Sequence, residues 1–170
     1  MFYELLATVF AGFAGGGIAY LLSWITRGMF PKSLVLAGAA VAMIGFSILN
    51  EYNWYPRSEA QLPEGVVVVA THESKAWYRP WTYIQPFVNR FIAVDTGSVQ
   101  RNEDVPQQRI ADIYLMERWR ASHALKIAVD CDRPAQARLS DVTYAEDGTM
   151  QSDRWEALSP DDPLTKAVCG

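Results

Sequence analysis

With 170 residues the chain has room for one domain of ordinary size and a short appendage, and not for two large domains. Half of its residues are hydrophobic and its formal net charge is −4, but the charge is unevenly spread: residues 1–50 hold only Glu4, Arg27 and Lys32, whereas residues 51–170 hold 13 basic and 18 acidic side chains. An acidic region with its Lys and Arg scattered among acids offers no basic stripe for phosphates, so nucleic acid is excluded as an expected partner.

From Leu5 to Ile25 the chain runs 21 residues without a charge, and a helix of that length crosses roughly 30 Å of hydrocarbon. A second uncharged run of 18 residues extends from Ser33 to Asn50. Two alternatives compete with a membrane hairpin: a signal peptide followed by a core helix, or two core helices of a soluble protein. A signal peptide opens on a basic residue and has a short apolar core. This chain opens Met1-Phe2-Tyr3-Glu4, and its apolar run is longer. Residues 1–50 are therefore expected to form a two-helix transmembrane hairpin, with spans at about 5–25 and 33–50. The turn from Thr26 to Ser33 carries both basic residues of this half. Because positive residues in short loops stay in the cytoplasm, both termini are expected outside, in the periplasm if the membrane is a bacterial inner membrane. Tyr52, Trp54 and Tyr55 then stand where an aromatic belt forms, with the lipid bilayer as one partner.

Small residues recur along the first run, with Ala7, Ala11, Gly15 and Ala19 in one row and Gly12 and Gly16 in the row beside it. Gly38, Ala42 and Gly45 make a similar stripe in the second. Small residues let helix backbones approach closely in lipid. Either these rows only pack the two helices of the hairpin on each other, or, since one partner helix needs one face, the first helix also docks on other integral membrane proteins. Glu4 falls at the outer interface and is expected to be solvated.

Residues 51–64, with Pro56 and Pro63, are expected to form a linker, and residues 65–170 a soluble domain. Val66–Val69 and Phe91–Val94 are strand candidates from their β-branched and aromatic content. Within 109–120, Ile113, Leu115 and Trp119 share one side of a strand, with Tyr114 and Met116 opposite. Between Leu125 and Cys131 the alternation puts Leu125, Ile127, Val129 and Cys131 inward and Lys126 and Asp130 outward. A strand over 136–144 turns at Asp147-Gly148 into 149–158. Ser159, Pro160 and the acids Asp161 and Asp162 start a short helix that sets Leu164 and Val168 against the sheet. The fold class is α+β: two apolar helices, a small antiparallel sheet and a short C-terminal helix.

Cys131 and Cys169 are the only cysteines. In an oxidising compartment two such thiols pair; in a reducing one they are two buried thiols. The string Val129-Asp130-Cys131, Arg138-Leu139-Ser140, Thr143-Tyr144, Asp147-Gly148, Trp155, Leu158-Ser159-Pro160 and Val168-Cys169 resembles the C-terminal half of the surface-adhesin protein E-like family of small bacterial envelope proteins. That resemblance covers about residues 110–169 and implies a disulfide between the two cysteines, as scaffold rather than machinery. A transmembrane hairpin is a departure from the secreted or lipid-anchored form expected of that family.

Residues 77–91 hold six aromatics, two prolines and two arginines, more than one face of a small sheet can hide. Aromatics and Arg anchor interfaces, so Trp77, Tyr78, Trp81 and Phe87 are the expected contacts with a partner or the bilayer surface. The alternative is a proline-broken loop folded over the sheet. His72 and Glu73 are strand neighbours and point to opposite faces, and His123 has no carboxylate near it in sequence, so neither is expected to be catalytic. Asp130, Asp132 and Asp141 lack the spacing of a calcium loop. No nucleophile-elbow or phosphate-loop motif occurs. The expectation is a non-catalytic accessory or assembly subunit of a membrane complex, without cofactor or metal. The alternative is an anchored envelope module that binds a ligand or surface component.

Overall fold

A computed structural model of the chain describes residues 2–27, 31–102 and 105–170. The centre of the turn expected between the helices, residues 28–30, lies outside the described residues. The chain divides into two compact units, Met1–Trp54 and Tyr55–Gly170.

The first unit consists of α1 (Phe2–Ile25) and α2 (Ser33–Tyr52), each long and apolar enough to cross a membrane, with mean hydropathies of 1.8 and 1.9. They pair through small residues. A Cβ on Gly12 would come within 2.8 Å of Met43 Sδ, one on Gly16 would touch the Ala39 side chain, and one on Gly15 would overlap Ala42 and the Gly38 carbonyl. Gly38 in turn faces Ala19. Ala11, one turn before Gly15, is half-buried. Both small-residue rows of α1 thus face the partner helix, as the first of the two readings requires. Gly45 meets nothing within 4 Å, so the stripe on α2 is narrower than its sequence implies. Glu4 is not simply solvated: it is half-buried and accepts a hydrogen bond from Asn50 Nδ2 at 3.1 Å, tying the start of α1 to the end of α2. Large apolar side chains cover the outside of the pair, Phe13 and Leu36 among them at 72% and 76% exposure.

The segment expected to be a linker contains a helix, α3 (Trp54–Glu59). Beyond it Gly65, in the left-handed region at φ 89°, leads into β1 (Val66–Ser74). Then come β2 (Phe87–Arg101), β3 (Gln108–Glu117), β4 (His123–Asp130), β5 (Ala135–Arg138), β6 (Thr143–Tyr144), β7 (Met150–Gln151), β8 (Glu156–Ala157) and α4 (Pro163–Cys169). The main sheet is an antiparallel run in the order β1-β2-β3-β4-β5-β8, and β6 and β7 form a separate hairpin. Register shifts in β1 and between Asp95 and Gln100 of β2 mark bulges, which sharpen the twist of a sheet.

One face of the sheet carries the core. Val94, Ile113 and Leu125 lie side by side on β2, β3 and β4, as do Ala111 and Ile127, and Leu164 and Val168 of α4 close over them. Leu164 and Val168 therefore lie where the sequence put them. The helix itself starts later: its cap is Asp162, whose carboxylate accepts from Leu164 N at 2.9 Å, with Pro163 in the first turn. The expected strand over 136–144 is broken by a 3-10 turn at Leu139–Asp141, and 149–158 forms only β7 and β8.

The opposite face is covered too, around Asp130. This residue was expected to face solvent but is 7% exposed, its carboxylate accepting from Asp132 N and Arg133 N at 3.0 and 3.1 Å. Gln108, its partner in the register, is buried and exchanges two hydrogen bonds with the Met150 backbone at 2.7 and 3.2 Å. Those bonds lay the β6–β7 hairpin over this face. Its turn is longer than the two-residue form that Asp147-Gly148 announces: Gly148 takes the positive φ of 78°, and its N–H donates to Ala145 O.

Candidate functional site

Two surfaces of the second unit collect the side chains able to bind something. The first is the loop between β1 and β2. Pro80 opens a 3-10 turn over Pro80–Tyr83, and Thr82, fully buried, accepts from Ala76 N at 3.0 Å and donates to Arg79 O at 2.7 Å. That knot fixes the loop, while the Arg79 guanidinium lies over the Tyr78 and Phe87 rings at 5.2 and 5.8 Å.

The result is a held loop with an apolar outer surface. Trp77 is 84% exposed and Ile84 90%, with Tyr78 and Tyr83 also exposed. Of the four side chains chosen from sequence, Trp77 and Tyr78 stand outside. Trp81 is half-buried, its Nε1 buried without a hydrogen-bond partner among the described residues. Phe87 is buried at 7% and is corrected from contact residue to core: it starts β2 four residues before Phe91, on the same covered face. Tyr83 and Ile84 complete the patch and were missed, because sequence alone does not tell which rings of an aromatic-rich loop fold inward.

The second surface is a cavity of about 420 Å³ on the α4 side of the sheet, at the end of the strands that α4 leaves bare. Ile92 and Leu115 floor it. The register brings its polar rim together, since His72 pairs with Arg90, Arg90 with Glu117, and Leu115 with His123. Both histidines of the chain thus line one cavity although 51 positions separate them, and Arg120 joins from the turn after β3. Its guanidinium lies 3.6 Å from the Glu117 carboxylate. Taken one at a time, His72 and His123 looked isolated. Only the pairing of four successive strands makes them neighbours of the same space.

No protein-family model, curated protein or solved structure matches this chain.

Cys131 and Cys169 are bonded, their Cα atoms 5.8 Å apart. With the Arg109 Nη1 bond to Val168 O at 2.6 Å, the disulfide holds α4 on the sheet and so fixes where the cavity ends. Among the described residues no group of three His, Cys, Asp or Glu side chains is placed to hold a metal ion. Asp130 caps its own turn, and Asp141 pairs with Arg154 at 3.2 Å.

Proposed function

We propose that this chain is a non-catalytic accessory protein of a bacterial inner membrane, held by the hairpin with both termini in the periplasm, and that its soluble domain docks on a larger membrane complex. The observation that carries the reading is the aromatic patch. Trp77, Tyr78, Tyr83 and Ile84 are large, exposed and held in place by the Thr82 hydrogen bonds, so little ordering entropy opposes their burial against a partner. Two further features support it. The apolar outer faces of α1 and α2 suit lipid and would be costly in water, and a bonded cysteine pair suits an oxidising compartment.

The test is crosslinking in native membranes followed by mass spectrometry. The wild-type chain is expected in a complex with another integral membrane protein. The double variant Trp77→Ala, Ile84→Ser is expected to stay membrane-bound and disulfide-bonded but to lose that complex. A complex that survives the double variant, or a wild-type chain that crosslinks to nothing, contradicts the proposal.

A further inference from the structure

The cavity rimmed by His72 and His123 takes no part in that docking proposal and has a chemistry of its own. Its floor, Ile92 and Leu115, is aliphatic, and its volume falls within the range of small-molecule sites. Its rim is basic although the region around it is acidic, residues 51–170 holding 18 acids against 13 bases. Of its Arg and Glu side chains, Arg90 and Arg120 against Glu117 leave one positive charge.

That charge belongs in effect to Arg90. Its guanidinium makes no ion pair among the described residues although Glu117 stands beside it in the register, because the Glu117 carboxylate is turned to Arg120. His72 and His123 stand on β1 and β4, three strand spacings or roughly 14 Å apart along the sheet, which leaves room for a short chain between them. The His72 imidazole, beside Arg90 in the register, adds a hydrogen-bond donor toward an anion.

We infer that this cavity binds a small amphipathic monocarboxylate, its carboxylate on Arg90 beside His72 and its apolar body against Ile92 and Leu115, running toward His123. One carboxylate matches the single uncompensated charge, and the planar guanidinium holds it through two parallel bonds.

Because the chain has just two histidines and both line the cavity, the full-length protein in lipid nanodiscs, labelled with nitrogen-15 histidine, reports on this site alone. Hexanoate is the probe, hexanol supplies the body without the charge, and inorganic phosphate supplies charge without the body, all at one fixed pH. Hexanoate is expected to shift both imidazole signals saturably, with at least tenfold higher affinity than either control. Arg90→Ala and the gentler Arg90→Gln are both expected to erase that preference. Lys126→Ala, which removes an ion pair with Asp112 away from the cavity, is expected to keep it. Imidazole signals that ignore hexanoate, that answer phosphate or hexanol equally, or that respond alike with and without Arg90 overturn the inference.

Discussion

Gly15 and Gly17 are two positions apart on α1 and have opposite surroundings. A side chain at Gly15 would run into Ala42 and the Gly38 carbonyl, whereas one at Gly17 would meet nothing within 4 Å. Gly15→Leu is therefore expected to destabilise the helix pair by about 1–3 kcal/mol, the usual cost of forcing bulk into a filled contact, and Gly17→Leu to leave it unchanged. Titration of the helical signal with a denaturing detergent checks the contrast, and equal midpoints would contradict the packing. Tyr55 gives a prediction of a different kind. Burial raises its phenol above the ordinary value of 10.0, and the charge and hydrogen bond of Glu59 add to the rise. The folded state favours the neutral phenol, so this contribution to stability is complete below the free phenol's range and is lost as pH climbs through the folded value. Between pH 8 and pH 10.5 the urea midpoint of the wild type should fall further than that of Tyr55→Phe, and parallel falls would remove Tyr55 from the account.

The sequence pattern names residue types at this scale better than it names their neighbours. The small residues of α1 announce close helix contact, but nothing in their spacing shows that Gly12, Gly15, Gly16 and Ala19 all face one partner.

At the scale of elements, α4 depends on a single covalent tie, a short apolar contact and the Arg109 bond to Val168 O. Cys131→Ser together with Cys169→Ser opens a loop of 38 residues' separation and is expected to cost about 4 kcal/mol on the loop-entropy account, read as a lower urea midpoint of the soluble domain. A midpoint that does not move would show that Leu164, Val168 and the Arg109 bond seat the helix without the disulfide. The strands were legible wherever the alternation was regular: Leu125, Ile127 and Val129 occupy the core side of β4 as their spacing requires. The alternation misled at Asp130, where a small hairpin from later in the chain covers the second face. Trp119 misled for a simpler reason, since β3 ends at Glu117 and leaves that ring 52% exposed beneath the Arg118 guanidinium at 5.0 Å. The miss at Asp130 comes from a contact distant in sequence, which local periodicity does not encode. The cavity rim was hidden in the same way, since it exists only once four strands are in register.

For the whole molecule, the account joins an apolar helix pair and a disulfide-bonded sheet domain through one topology. The two helices bury only small residues against each other and turn large apolar side chains outward, an arrangement that lipid tolerates and water does not. The proposed topology puts the bonded cysteines opposite the basic residues Arg27 and Lys32, as an oxidising outer compartment and a cytoplasmic basic turn require. On the proposed topology the patch and the cavity would share one compartment, opposite the turn that carries Arg27 and Lys32. The most direct test of this central claim uses the fact that the native cysteines are consumed in a disulfide, so an added cysteine is the sole free thiol. A membrane-impermeant maleimide applied to intact spheroplasts should label a chain carrying Ser122→Cys in the soluble domain, and should label Lys32→Cys only after lysis. Labelling of Lys32→Cys in intact spheroplasts, with Ser122→Cys protected until lysis, would contradict it.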